Sequence, residues 1–147
     1  MADAPARPEP GVVPMLSYED AGTAIDWLER AFGFREHREM RYTEPSGRVS
    51  HAELEAGTGL IMVATPTPQY RSPRHHRETC PEADQWLRAP WVIDGVLVHV
   101  EDVDGHFARA RDAGAALLSQ IEENPYGRLY RVEDLEGHRW MFIQSPA

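Results

Sequence analysis

The chain has 147 residues, of which 41% are hydrophobic and 27% are charged, as in an ordinary globular protein of one domain or two fused half-domains. Its formal net charge of −9 argues against nucleic acid or an anionic membrane as a partner. The single cysteine, Cys80, excludes an intrachain disulfide and favours a cytoplasmic location, and no apolar run approaches the roughly 20 residues of a membrane span.

The first part of the chain predicts one βαβββ unit after a disordered lead-in at residues 1–11, which are rich in proline, alanine and charge. Helical spacing of alanine, isoleucine and leucine predicts a helix that stops at Gly33. The predicted first module, residues 12–64, contains a strand at 12–18, a helix at 21–31, and strands at 36–42, 48–56 and 60–64.

The same order of elements returns near the end of the chain. The predicted second module, residues 94–147, contains a strand at 96–101, a helix at 103–113, and strands at 116–121, 128–133 and 139–144. Between the modules, residues 65–93 form a connector rich in proline, with a basic cluster and two tryptophans. A connector of this length is usually functional or covered by a partner.

The two modules also resemble each other in sequence. The segment VVPMLSYEDAGTAIDWLERAFGF is echoed by GVLVHVEDVDGHFARARDAGAALL, and RVSHAELEAG is echoed by RLYRVEDLEG. In both copies an apolar strand runs into an acidic pair and then an amphipathic helix. Such self-similarity indicates two copies of one unit, neither of which buries its apolar face alone. We therefore expect the functional site to lie between the copies.

The tandem units, with HAELEAG in the first half and DLEGHRWMF near the end, resemble the vicinal oxygen chelate superfamily. That superfamily includes glyoxalase I, bleomycin-resistance proteins and extradiol dioxygenases, and the chain looks most like its glyoxalase-like subgroup. The resemblance covers residues 12–144. It implies an α+β fold in which tandem βαβββ modules form a cupped mixed sheet.

The resemblance also implies where a divalent ion would sit, between ligands from the first and last strands of each half. Carried across by pattern, the first-strand positions are Val13 and Gly95. The last-strand positions are Met141 in the second half and Ile61 or Met62 in the first. None of these side chains is a ligand for a hard divalent ion, so we expect no metal cofactor. A relocated site that uses His51, His99 and a glutamate is the alternative.

Strand alternation assigns the polar residues of two strands to the cup side of the sheet. His51, Glu53 and Glu55 are expected there from the first module, and Leu97, His99 and Glu101 from the second. One interpretation is a solvated face or a dimer seam. The other is a pocket with His99 and Glu53, or His51 and Glu101, as a catalytic acid–base pair.

Further candidates divide between binding and structure. Met62, Met141, Trp91 and Tyr126 are predicted to line a ligand site, with Met15 adding to an adaptable apolar lining. His138 and Trp140 have the opposite strand parity from Met141 and are expected to be structural.

Three functions remain open from the sequence. The leading prediction is a homodimeric protein that binds or sequesters a small molecule in the cup. The alternatives are a lyase or isomerase, with relocated metal ligands or a His/Glu pair, and a partner-binding module that acts through the connector.

Overall fold

The computed structural model describes residues 9–147, so most of the predicted disordered lead-in lies outside the described residues. The elements of the first half are β1 (Met15–Ser17), α1 (Ala21–Phe32), β2 (Arg35–Glu36), a 3-10 turn (Arg38–Met40), β3 (Tyr42–Thr43), β4 (Val49–Ala56) and β5 (Gly59–Ala64). The connector carries α2 (Pro73–Thr79) and α3 (Pro81–Trp86). The elements of the second half are β6 (Gly95–His99), α4 (Val103–Asp112), β7 (Ala116–Leu117), β8 (Glu122–Asn124), β9 (Gly127–Glu133) and β10 (Arg139–Gln144).

Each half forms its own mixed sheet with the same strand order. The first sheet runs β1-β5-β4-β2, with β3 also paired to β4, and the second runs β6-β10-β9-β7, with β8 also paired to β9. In both sheets the first strand is parallel to the last strand and the remaining pairs are antiparallel. The predicted α+β architecture of two βαβββ modules is confirmed.

The repeated acidic pair marks the start of the two long helices. Asp20 caps α1 by accepting a hydrogen bond from the Thr23 backbone N–H at 3.1 Å, and Asp102 caps α4 in the same way from Gly105 at 3.1 Å. An aspartate at this position satisfies one of the backbone N–H groups that the first helical turn leaves unpaired. At the other end of α1, Gly33 adopts the left-handed conformation, with φ of 71°, that the predicted stop requires.

One hydrophobic core serves both modules. It combines the buried face of α1 with the helix-facing residues of both sheets. The ring of Phe32, at the end of α1, lies 5.6 Å from that of Trp140 and 4.8 Å from that of Phe142 in β10. Trp140 is 2% exposed, which confirms that it packs in the helix layer. The modules therefore depend on each other for burial.

Polar contacts complete the junction between the helices. The Trp27 indole N–H of α1 donates to the Ala113 carbonyl oxygen at 3.2 Å. His106 Nε2 of α4 donates to the Phe32 carbonyl oxygen at 2.9 Å, so its Nδ1 accepts from the Tyr130 hydroxyl at 2.6 Å. Burial lowers the pKa of this imidazole and so favours its neutral form.

Three predicted segments differ from the structure. The strand predicted at 36–42 is broken by the 3-10 turn, and the strand predicted at 116–121 is reduced to β7, with β8 following as a separate strand. The connector contains two short helices that were not predicted, each with proline at its start. Among residues 9–147, no helix has the length and apolar character needed to cross a membrane.

Candidate functional site

Each sheet has one face against its helix and one face away from it, which we call the open face. In β4, Ala52, Leu54 and Ala56 are buried toward the helix, as predicted from alternation. On the open faces, Met15 of β1 is 80% exposed and Leu97 of β6 is 50% exposed. Exposed apolar side chains on these two edge strands offer a surface able to bind an apolar molecule or protein.

The strand registers define an equivalent row of three side chains on each open face. The first open-face row is Met15, Met62 and Glu53, on β1, β5 and β4. The second open-face row is Leu97, Met141 and Arg131, on β6, β10 and β9. Met62, rather than Ile61, is therefore the counterpart of Met141, and the position of acidic Glu53 is taken by basic Arg131 in the other half.

The largest cavity near these rows lies between the two edge strands. It has a volume of about 660 Å³ and is lined by residues 14–17 on one side and 94–97 on the other, with Tyr70, His138 and Arg139. We call it the edge groove. Both β1 and β6 end their sheets, so each has one side without a neighbouring strand.

Backbone groups of both edges point into the edge groove. Tyr18 N–H donates to the Ala64 carbonyl oxygen at 2.8 Å, so the alternate backbone groups, those of Met15 and Ser17, face away from β5. By the same alternation, Val100 N–H bonds to β10, so the backbone of Leu97 faces away from that strand. A ligand in the groove would meet peptide donors and acceptors beside the Met15 and Leu97 side chains.

The connector builds two further hollows next to the edge groove. One of about 210 Å³ shares residues 95–97 with it and is bordered by Trp91, Ile93, Arg131 and Met141. The other, of about 560 Å³, shares Tyr70, Asp94 and His138 with the edge groove and is bordered by Trp86. The three spaces are contiguous around residues 93–97, and each is within or near the size of known ligand sites.

Arg139 fixes the connector over the second sheet. Its guanidinium, 4% exposed, bonds to Glu133 Oε2 at 3.0 Å and donates to the carbonyl oxygens of Leu87, Ala89 and Val92. Arg77 of α2 bonds to the same Glu133 carboxylate at 2.7 Å. This buried network places Trp91 and Ile93 beside the groove. The sequence interpretation missed Arg139, although its position directly after the Gly-His turn offered a signal.

The predicted site residues do not converge on one place. Trp91 and Met141 line the hollow beside the edge groove, and Met62 lies in the first open-face row. His51 and Glu53 lie together on β4, with His51 Nε2 and Glu53 Oε1 3.6 Å apart. His99 and Glu101 are exposed at the end of β6, and Tyr126 is exposed at the turn between β8 and β9. The structure thus brings His51 to Glu53 and shows no contact between His99 and Glu53 in the described part of a single chain.

A buried carboxylate joins the two modules beside the groove. Asp134 accepts hydrogen bonds from the Tyr18 hydroxyl at 2.6 Å and the Trp140 indole N–H at 3.1 Å. Burial raises the pKa of Asp134, and burial together with this carboxylate raises the pKa of Tyr18. His138 Nε2 donates to the Ser17 carbonyl oxygen at 2.6 Å, a contact that fits the predicted structural role, and His138 also lines the edge groove.

The residues at the superfamily's usual metal positions do not fit a hard divalent ion. In the register of the strands, Met62 and Met141 occupy equivalent places, and Gly95 at the start of β6 has no side chain. Within residues 9–147, no group of three or more histidine, cysteine, aspartate or glutamate side chains is arranged to hold a metal. No chemical step is therefore assigned to a metal here.

Comparison with known proteins supports this architecture. The profile of the Glyoxalase/Bleomycin resistance protein/Dioxygenase superfamily matches residues 12–142. Uncharacterized protein Mb0911c of Mycobacterium bovis is 31% identical over 141 residues, which are 92% of this chain and 84% of that protein.

Two solved structures show the same fold. TioX from Micromonospora sp. ML1 is 34% identical, with a TM-score of 0.64 over 94% of this chain and 98% of that chain. The bleomycin-binding protein of bleomycin-producing Streptomyces verticillus, solved with copper(II)-bleomycin, is 18% identical, with a TM-score of 0.57 over 94% of this chain and 98% of that chain. From the paired modules and the extent of these matches, the chain belongs to the glyoxalase/bleomycin resistance protein/dioxygenase superfamily.

Proposed function

We propose that this protein binds a small molecule with a planar or apolar body in the edge groove, and that it holds the molecule without converting it. The observation that carries the proposal is the groove of about 660 Å³ between two edge strands, with Met15 and Leu97 exposed at its sides. Flexible methionine and leucine side chains adapt to irregular apolar ligands. The backbone groups of the two edges would orient the polar atoms of the ligand.

Two observations support binding rather than catalysis. Four of the six side chains in the open-face rows, those of Met15, Met62, Leu97 and Met141, are apolar and supply contact area without acid–base chemistry. Solved structures that share this fold include TnmS3, described as an antibiotic binding protein, at 17% identity and a TM-score of 0.58.

Titration with Nile red, a neutral planar dye whose emission rises in apolar surroundings, tests the proposal. We expect saturable binding to the wild-type chain and at least about a tenfold loss for Leu97→Asp, because a carboxylate placed in the groove must be desolvated. Leu97 is half exposed, so the variant should keep its melting temperature.

Tyr126→Ala provides the matched control, since Tyr126 is exposed but lies outside the edge groove. Chromatography of the dye after long incubation should return it unchanged. Equal affinity of Leu97→Asp and wild type, or the absence of saturable binding, would overturn the proposal.

An enzymatic function is the second candidate, and the His51–Glu53 pair favours it. A carboxylate 3.6 Å from an imidazole, on the open face of β4, would orient His51 as a general base once a ligand draws the two groups together. This candidate predicts that His51→Ala abolishes turnover of a bound compound while its affinity is retained.

We also propose that two copies of the chain associate as a homodimer. Exposed apolar side chains outside the edge groove, among them Val12 and Tyr42, support this assembly, because such side chains are commonly covered in homodimers. Light scattering coupled to gel filtration measures the mass directly, and a monomer at micromolar concentration would contradict the proposal.

A further inference from the structure

Asp94 lies where the edge groove meets the connector hollow that contains Trp86. Its side chain lines both spaces, and it is exposed. Within residues 9–147 the carboxylate of Asp94 forms no hydrogen bond or ion pair. It therefore presents an uncompensated negative charge to whatever occupies the groove.

The arginines that line the same spaces are engaged elsewhere. Arg139 is bound to Glu133 and to connector carbonyl oxygens, and Arg71 lies 3.6 Å from Glu19. Of the two histidines there, the His138 ring donates to the Ser17 carbonyl oxygen, and His76 lines the hollow without an ion pair to Asp94. No described arginine or histidine forms an ion pair with Asp94, so a positive group on a ligand would be its natural counterpart.

Aromatic side chains line the spaces next to this carboxylate. Trp86 is 57% exposed and borders the same hollow as Asp94 and Tyr70. Trp91, 74% exposed, borders the adjoining hollow. The faces of indole and phenol rings attract organic cations, and a carboxylate beside them adds a direct ionic contact.

The backbone holds Asp94 at this place. The preceding residue, Ile93, adopts φ of 64°, a left-handed conformation that is costly for a β-branched side chain. One residue earlier, the Val92 carbonyl oxygen accepts a hydrogen bond from Arg139 at 3.2 Å. Strain of this kind persists only where surrounding contacts impose it, and here it sets the direction in which the chain enters β6.

We infer that the edge groove selects organic cations, namely molecules with a planar apolar body and a protonated amine or iminium group that lies beside Asp94. This inference rests on the proposed binding function and specifies its ligand class. The formal net charge of −9 acts in the same direction by raising the local concentration of cations around the protein.

Two dyes that differ in one group test the inference. Nile blue carries an iminium group at the position where the neutral Nile red has a carbonyl oxygen, and the two dyes share the same planar fused-ring body. At low salt we expect the wild-type chain to bind Nile blue about tenfold more tightly than Nile red, with the ratio falling as salt is added.

Asp94→Asn should bring the ratio of the two affinities close to one, mainly by weakening the binding of the cationic Nile blue. Asp112→Asn is the matched control, because it removes one exposed carboxylate at the end of α4, away from the groove. The control separates a local contact from the loss of one unit of net charge.

The outcomes distinguish this inference from the function on which it rests. Saturable binding of both dyes with equal affinity, or a ratio that Asp94→Asn leaves unchanged, would overturn the selection of cations and leave the binding function intact. Failure of both Nile blue and Nile red to bind would overturn the binding function itself.

Discussion

The two modules have nearly the same scaffold and different open faces. Both have an aspartate-capped helix and the same strand order, yet the first open-face row ends in Glu53 and the second in Arg131. The connector adds a second difference, because it is anchored on Arg139 of the second sheet, whereas the first sheet has Leu60 at the equivalent register. Caps and core packing account for the shared architecture, while the side chains on the open faces distinguish the two halves.

The helices show the same contrast in burial. Seven residues of α1 are buried, including Trp27 and Phe32, whereas only Val103 and Ala110 are buried in α4. The first module supplies most of the helical core, and the second supplies its aromatic strand, β10. Substitutions in equivalent places should therefore affect the two halves differently.

The largest expected effect comes from the aromatic strand. Trp140→Ala should lower the free energy of unfolding by about 3–5 kcal/mol, because it leaves a large cavity in the shared core. Its register equivalent in the first module is Ile61, for which Ile61→Ala should cost about 2–4 kcal/mol. Urea denaturation measures both. Trp140→Phe is the control, because it keeps most of the side-chain volume and removes only the hydrogen bond to Asp134. A Trp140→Ala protein as stable as wild type would show that the two modules do not share the core as described.

The anchoring of the connector should produce the next largest effect. Arg139→Ala leaves Glu133 buried with Arg77 alone and frees three carbonyl oxygens, at an expected cost of about 3 kcal/mol. Chymotrypsin should then cleave faster near Trp86 and Trp91. Leu60→Ala, at the equivalent register of the first sheet, should lower stability without faster cleavage of the connector. Equal cleavage of wild type and Arg139→Ala would contradict the anchoring role.

The helix caps offer the most symmetrical comparison. Asp20→Ala and Asp102→Ala should each lower stability by about 1 kcal/mol, because each leaves a backbone N–H at a helix start unpaired. Asparagine can accept the same hydrogen bond, so Asp20→Asn and Asp102→Asn should be close to wild type in thermal melts. A cost confined to one helix would show that the two caps are not equivalent.

The pH dependence of His106 is the smallest expected effect. Burial lowers the pKa of this imidazole in the folded chain, so below about pH 6.5 the unfolded chain takes up a proton that the folded chain resists. Stability should therefore decline as the pH falls from 7.5 to 5.5. In urea titrations at pH 7.5 and 5.5, the stability of His106→Gln should depend less on pH than that of the wild type. An identical pH dependence would exclude His106 as a source of the decline.

Much of the fold follows from the sequence because its signals are local. The Asp20 and Asp102 caps, the Gly33 stop and the alternation in β4 each report on backbone conformation within a few residues. The break in the strand predicted at 36–42 was not predictable in this way. There, His37 is held by Glu55, 18 residues later, at 3.0 Å, and that contact exists only once the sheet has formed.

The alignment of the two halves by sequence placed His51 opposite Arg131, whereas the strand registers place Glu53 there. The hairpin between β4 and β5 turns through two residues, and that between β9 and β10 turns through five, from Asp134 to His138. A linear alignment that matches Gly57 with Gly137 does not account for this difference in turn length. The role of Asp94 was hidden for a related reason, because its surroundings come from a connector whose path is set by the distant Arg139.

The five-residue turn at Asp134–His138 has a consequence for how the protein loses its structure. It closes the hairpin of the second module, and it also pairs the Tyr18 hydroxyl, the Ser17 carbonyl oxygen and, through Glu136, the backbone N–H of Glu19 in the first. Neither half can unfold without leaving polar groups of the other unpaired. We therefore expect the tandem repeat to melt as one cooperative unit, and a molecule bound along the edge groove would stabilise both copies at once.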